Sequence, residues 1–213
     1  MKKYELLVDD TITFLGVQLF RIKALISFSG IEKGEVGGYI ASEKNLSQYG
    51  NAWVSGDARV YGNARVYGDA WVYGDAWVSG DARVYGNARV YGNARVYGDA
   101  WVYGNAEVYG NARVYDGARV YGDAWVYGNA EVYGNARVYD GADYIVFKNT
   151  WSSGRYFTYT KSNKNWRVGC FYGSGAELVE KAYKDSKKSG DFYKAYVDFV
   201  EKLEEIENIH KEQ

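Results

Sequence analysis

One histidine, His210, and one cysteine, Cys170, are the only residues of their kind in 213. An imidazole is the commonest general base near neutral pH and a thiolate the usual soft nucleophile, so these two residues bound the catalysis open to the chain. Neither has a partner in the pattern around it. His210 lies in a charged helical stretch and reads as a solvated helix-end residue. Cys170 lies among apolar residues of a strand-like segment and reads as buried. Asp and Asn recur every sixth residue through the middle of the chain, each beside a Gly. A calcium-binding β-roll uses a nine-residue Gly/Asp repeat, whereas each corner here offers one oxygen side chain. No threonine occurs between Asn51 and Ala142, which removes the Thr-rich array expected of an ice-binding face. No catalytic residue, no metal and no cofactor is therefore expected, and the chain does not read as an enzyme.

What remains is recognition chemistry, in two places. Trp53, Trp77, Trp101 and Trp125 recur every 24 residues beside Tyr and Arg, and aromatic rings with guanidinium groups are favoured at interfaces. Arg155, Lys161, Lys164, Trp166 and Arg167 lie in the stretch Tyr144 to Ala176, which holds no acidic residue. This is a local basic and aromatic surface suited to a phosphate-bearing ligand or a single strand. Self-stabilising ladders on the outer faces and a solvated hairpin face are the plainer readings of the same residues. Within Asn51 to Ala142 eight Arg stand against ten acidic residues, so no duplex-binding basic face is expected.

The elements that must carry these residues follow from one phrase. From Asn51 to Ala142 the six-residue unit Gly-(Asp/Asn)-Ala-x-Val-Tyr runs almost unbroken, with Val at every sixth position from Val54 to Val138 and Ala two places before it. Ala-x-Val-Tyr alternates inward and outward, the pattern of a short strand, and the Gly that follows turns a corner through φ > 0. Such a strand buries its Ala/Val face only by stacking, which makes a solenoid. Three hexads give a triangular coil of about 18 residues and four a square one of about 24. Ala and Val are too small to fill the square at protein packing density, so the triangle is favoured. Fifteen valines then make about five coils. Asp99 to Ala118 is repeated letter for letter as Asp123 to Ala142. On a triangular coil a step of 24 residues is one and a third turns, so the four tryptophans are expected to move from face to face.

The hexads resemble the hexapeptide repeat of left-handed parallel β-helix proteins, with the aliphatic residue and the small residue two before it both inward. The left hand is implied by that resemblance alone. Tyr stands here where many members carry Gly or Asn after the aliphatic residue. The resemblance also implies a homotrimer. Acyltransferases sharing that fold use a histidine base and the related carbonic anhydrases three histidines on zinc, which the lone His210 does not match.

Residues 1–50 are not hexads. Tyr4 to Val8, Thr11 to Phe14 and Leu19 to Ser27 read as strands with turns at Asp9-Asp10 and Gly16, forming an N-terminal β cap over the first coil. Phe20-Arg21-Ile22-Lys23-Ala24-Leu25, Gly37-Gly38-Tyr39-Ile40 and Asn45-Leu46-Ser47 resemble the opening of β-helix proteins common in bacteriophages and prophages, some of them labelled transferases. Residues 51–147 are assigned to the coil, with Tyr144 to Phe147 completing its last turn. Residues 148–213 read as an α+β appendage. A hairpin spans Arg155 to Thr160 and Trp166 to Phe171, and a helix starts at a capping box on Ser174 and breaks at Ser189-Gly190. A second helix carries a seam of Phe192, Tyr196, Phe199, Leu203 and Ile206, which packs on the hairpin or forms a short coiled coil. Gly169-Cys170-Phe171-Tyr172-Gly173-Ser174 with Glu177-Leu178 resembles a small terminal domain of phage-borne proteins of Firmicutes.

The expected class is thus mainly β: a triangular left-handed parallel β-helix with an N-terminal β cap and a C-terminal α+β appendage. A net charge of −1, no apolar run long enough to span a bilayer and no secretory signal at Met1 to Asp10 make a cytoplasmic protein the expectation. A non-catalytic binding or scaffold protein is expected, with a host protein or small ligand such as a nucleotide as its partner. An acyltransferase-like enzyme and a glycan-binding module are the alternatives.

Overall fold

A computed structural model describes residues 1–211. It divides into two compact units, Met1–Asp143 and Tyr144–Gln213.

The first unit opens with β1 (Tyr4–Phe14), β2 (Val17–Ala24) and β3 (Val36–Ile40). β1 and β2 form an antiparallel hairpin closed by Leu15 and Gly16, both at positive φ. Asp9-Asp10 is not the turn expected there. It falls at a register shift between Leu7 and Thr11, so β1 runs on as one bent strand.

Fifteen two-residue strands follow, β4 (Trp53–Val54) to β18 (Arg137–Val138), one per hexad. Every third strand is a neighbour: β4-β7-β10-β13-β16, β5-β8-β11-β14-β17 and β6-β9-β12-β15-β18 form three parallel sheets. Val72 pairs with Val90 and Val90 with Val108, so the coil is triangular with 18 residues per turn. The inward residues from Ala58 to Val138 are Ala and Val alone, all buried. At the corners Gly86 holds φ +69, and a Cβ added to it would lie 3.0 Å from the amide nitrogen of Gly104 in the next turn. Backbone therefore passes so close to backbone that a side chain is excluded on two grounds, conformation and space.

The coil begins earlier than the hexads do. β3 pairs in parallel with β5, and Leu46 bridges to Val66, so residues 36–50 build an additional turn under the cap and the coil has six levels. Two of its faces are closed by side chains. In the regular turns the carbonyls of a corner Gly and the following Ala accept backbone amides, as Gly86 accepts from Asp69 and Ala88 from Trp71. At the open end Lys3 Nζ donates to Gly50 and Ala52 O (3.3 and 2.8 Å), and Asn45 Nδ2 donates to Gly62 and Ala64 O (3.1 and 2.9 Å). Lys3 and Asn45 are both buried, and burial pushes the Lys3 ammonium down to about 8. Two polar side chains thus stand in for the amides of a missing turn, which removes the unpaired edge.

In the second unit β19 (Tyr144–Lys148), β20 (Tyr156–Thr160), β21 (Asn165–Val168) and β22 (Phe171–Gly173) form an antiparallel sheet in sequence order. Tyr144 to Phe147 therefore do not complete the coil; they pair with Phe157 to Thr160 as the first strand of this sheet. α1 (Gly175–Asp185) starts at Ser174, whose hydroxyl accepts from the Glu177 amide while the Glu177 carboxylate accepts from the Ser174 amide. α2 (Lys187–Lys211) starts immediately after Ser186. The break lies at Ser186 rather than at Ser189-Gly190, because Gly190 is buried against the Tyr183 ring and its missing side chain lets the two helices close. Phe157, Tyr159, Trp166, Val168, Leu178, Ala182, Tyr193, Val197 and Val200 make the core.

Candidate functional site

The outward residues of the coil form columns because residues 18 apart are in register. The column through β6 to β18 reads Arg65, Arg83, Trp101, Arg119, Arg137. The column from β3 to β17 reads Tyr39, Arg59, Trp77, Arg95, Arg113, Glu131. The third, from β4 to β16, reads Trp53, Trp71, Arg89, Glu107, Trp125. The 24-residue spacing therefore carries the four tryptophans from one face to the next and back to the first, as an 18-residue coil demands.

Their environments differ. Trp101 lies between the guanidinium groups of Arg83 and Arg119, 4.8 and 4.9 Å from its ring, and Trp77 has Arg95 at 4.2 Å and Arg59 at 5.8 Å. Each is a cation–π sandwich, worth about 0.5–1 kcal/mol per pair at an exposed site. Phe14 of the cap packs edge-on over Trp77 at 4.5 Å. Trp125 is 54% exposed. Trp53 is not a surface residue: it is buried edge-on against Tyr4 and Phe28, so it serves the cap rather than a partner.

Tyrosines line the corners in stacks. Tyr67, Tyr85, Tyr103 and Tyr121 follow one another at 4.8, 5.0 and 5.1 Å, within 7° of parallel. Tyr73, Tyr91 and Tyr109 do the same at 4.8 and 4.9 Å. The coil repeat sets this spacing, since neighbouring strands lie about 4.8 Å apart. Burial within the stacks raises the phenols of Tyr67, Tyr73, Tyr85, Tyr91 and Tyr109 above their ordinary value, and the Glu107 carboxylate, accepting from Tyr91 Oη at 2.8 Å, raises Tyr91 further.

One face carries a groove of about 720 Å³, lined by Asp69, Trp71, Tyr73, Asn87, Arg89 and Asn105 among others. Asn87 Nδ2 donates to Asn105 Oδ1 at 3.0 Å and Asn105 Nδ2 to Asp123 Oδ1 at 2.9 Å, an amide ladder along its wall. Trp71 lies outside the 24-residue series and so had no signal of its own; it is in register with the buried Trp53 on the neighbouring strand and itself lines the groove.

The basic hairpin is changed by folding. Lys161 pairs with Glu207 at 2.7 Å and Lys164 with Glu204 at 3.5 Å, both acids reaching over from α2. Glu204 also accepts from the Tyr159 hydroxyl. Lys161 and Lys211 together hold the Glu207 carboxyl down to about 2. The stretch without acids in sequence is thus supplied with acids in space, and Lys161 and Lys164 are not an open cationic surface. Trp166 is buried in the core, so it too is a packing residue. Arg167 donates to the Phe171 carbonyl at 3.4 Å, and Arg155 lies exposed beside the Gly169 turn. Cys170 is exposed in that turn, not buried, because the strand ends at Val168 and reverses into β22. His210 stands exposed in the last turn of α2.

Among the described residues no three His, Cys, Asp or Glu side chains converge to hold a metal ion. Among the same residues no helix is long and apolar enough to cross a membrane.

Three segments, residues 58–74, 88–104 and 106–122, match the YdcK β-solenoid repeat. Each spans about one turn of the coil. No curated protein matches the chain.

Proposed function

We propose that this β-solenoid repeat protein is a non-catalytic binding or scaffold protein of phage or prophage derivation, working in the cytoplasm as a homotrimer. The observation that carries the reading is the division of labour in the coil. From Ala58 to Val138 every inward residue is Ala or Val and does only packing, while the outward strand positions are Arg, Trp or Glu in columns, followed at nearly every corner by Tyr. Such columns are pre-organised, since their side chains already lean on one another and lose little freedom on binding. Sequestration of a host protein or a nucleotide, as a counter-defence factor, is the sharpest form, motivated by the likeness of residues 1–50 to phage proteins. With Lys161 and Lys164 paired to α2, the coil faces are the better surface for it.

A glycan is the second reading, favoured by the groove at Trp71 and Tyr73, where flat aromatic rings adjoin the amide ladder of Asn87 and Asn105. Tryptophan fluorescence titrated with a nucleotide panel and an oligosaccharide panel tests both. One class is expected to quench the signal, and Trp71→Ala with Arg89→Ala should weaken a groove ligand about tenfold or more, or about 1.4 kcal/mol. No response to either panel, together with a solution mass of one chain, would sink both the binding and the scaffold halves. Turnover of an acyl donor by the purified chain would favour the acyltransferase-like alternative.

A further inference from the structure

The tyrosine ladder that begins at Tyr67 has an open first rung. Tyr67 stacks on Tyr85 at 4.8 Å and 3°, so one face of its ring is covered. On the other side Leu46, not Gln48, is the partner of Val66, and the Ser47 amide donates to the Val66 carbonyl at 2.9 Å. Ser47 rather than Tyr49 therefore stands opposite Tyr67, and Tyr49 is 86% exposed. A serine where the ladder would set its next ring leaves room for one further planar ring at the strand spacing of about 4.8 Å.

The charges around this gap choose the ligand. A cavity of about 310 Å³ is lined by Lys44, Ser47, Arg65, Val66, Tyr67 and Arg83, three cations and no carboxylate among the described residues. Arg65 and Arg83 are in register on neighbouring strands, where like charges directly opposite are destabilising. Elsewhere on the coil such charge is answered within the chain. Arg89 and Arg113 face Glu107 and Glu131 at 3.6 and 3.5 Å, and Arg95 and Arg119 lie over tryptophan rings. Arg83 leans on Trp101 at 4.8 Å, but among the described residues Arg65 has neither a carboxylate nor a ring. Lys44 reaches the neutral Asn63 Oδ1 at 3.3 Å, and the Glu43 carboxylate beside it is taken by Lys2 at 2.7 Å. The ladder headed by Tyr73 makes the contrast. It also starts opposite a serine, Ser55, but its groove contains Asp69, and its Arg89 is already paired.

We propose that this gap binds a nucleoside monophosphate, its base completing the ladder on Tyr67 and its phosphate held by Lys44, Arg65 and Arg83. A base has the flat π-face that the missing rung calls for. Guanidinium groups present planar donor forks that match phosphate oxygens, and the lysine adds a point charge. The Ser47 hydroxyl accepts from the Tyr49 amide at 3.1 Å, which leaves its own proton for the ligand. The volume is at the lower end of small-ligand pockets, about 300–1,000 Å³, and suits one nucleotide rather than a strand. This deepens the nucleotide form of the reading above, on which it rests, and sets the site at a ladder head instead of in the Trp71 groove.

Calorimetric titration of the full chain with adenosine monophosphate, adenosine and inorganic phosphate tests it. The monophosphate should bind once per chain, and adenosine and phosphate each at least about tenfold more weakly. Lys44→Gln with Arg65→Gln should weaken the monophosphate about tenfold or more with the circular dichroism of the coil retained, both positions being exposed. Ser47→Tyr, which fills the rung, should abolish binding. Monophosphate binding indifferent to both variants would overturn this site and leave the binding reading of the coil faces standing. Binding that survives Ser47→Tyr alone, or inorganic phosphate bound as tightly as the monophosphate, would overturn the role of the ring. No binding of the monophosphate would overturn the inference, whereas the reading above falls only if the oligosaccharide panel and the solution mass fail as well.

Discussion

The two units solve the same problem in opposite ways. From Ala58 to Val138 the coil never places a side chain larger than Val inside, and its stability comes from the same small contact made again in every turn. The terminal unit places Trp166, Phe157 and Tyr193 at one centre, and each contact there is made once. A repeated core is tolerant in composition but intolerant in backbone geometry, whereas a single core of large rings depends on each ring.

The strongest way to break this contrast is a charge inside the coil. Val96 sits between Val78 and Val114 with only Ala and Val around it, so Val96→Asp buries a carboxylate with no donor in reach. A loss of about 5 kcal/mol or more is expected, seen as a collapsed thermal transition of the coil or as aggregation on expression. Next comes the terminal core: Trp166→Ala should cost about 3–5 kcal/mol. Its melt should affect the helical signal while the β signal of the coil persists. Simultaneous loss of both signals would refute the independence of the two cores.

A smaller effect separates conformation from crowding. Gly86 and Gly128 hold nearly the same φ, +69 and +66, but a Cβ at Gly86 would lie 3.0 Å from Gly104 N while one at Gly128 meets nothing within 4 Å. Gly128→Ala should cost only the left-handed strain of about 1–2 kcal/mol, and Gly86→Ala clearly more. Equal melting temperatures would mean that the close approach of turns is not limiting.

The smallest effects are those of pH, and in acid they separate the units. The stacked phenols of the coil are held above their ordinary value of 10.0, so their contribution is complete below pH 10 and is lost as pH rises through the folded values. Lys3 works the other way: held at about 8 against 10.5, it adds stability as pH rises between those values. In the terminal unit the Glu207 carboxyl, held at about 2 against 4.5, contributes above pH 4.5, and that contribution fades as acid approaches 2. Acid should therefore act on the terminal unit through Glu207, whereas alkali should act on both units, since burial and the Glu204 carboxylate raise the Tyr159 phenol of the terminal core as well. Tyrosinate absorbance and far-ultraviolet melts across pH would show it, and late tyrosine ionisation that vanishes on unfolding is the diagnostic.

The coil was legible because its determinants are local. A period of six with Ala and Val two apart sets strand, corner and inward face within one hexad, and residue volume then selects three hexads per turn. The movement of Trp77, Trp101 and Trp125 among faces followed by arithmetic. What was not legible depended on distant partners. Trp53 carries the same spacing as its counterparts, yet Tyr4 and Phe28 bury it. Lys161 and Lys164 looked unopposed because their acids, Glu207 and Glu204, come 46 and 40 residues later. On α2 the spacing identified a genuine apolar stripe but not which of two adjacent stripes the sheet would take, since Tyr193, Val197 and Val200 repeat at the same interval.

The uniform Ala/Val interior has an evolutionary corollary. Losing any one hexad leaves every later Ala and Val still pointing inward, but advances all later outward residues by one face. Deleting Gly92 to Tyr97, for instance, would bring Trp101 directly beneath Trp77, where Arg95 now stands. Copy-number change in such a gene acts like one click of a combination lock: it deals a new surface at a stroke while the folding code beneath stays the same.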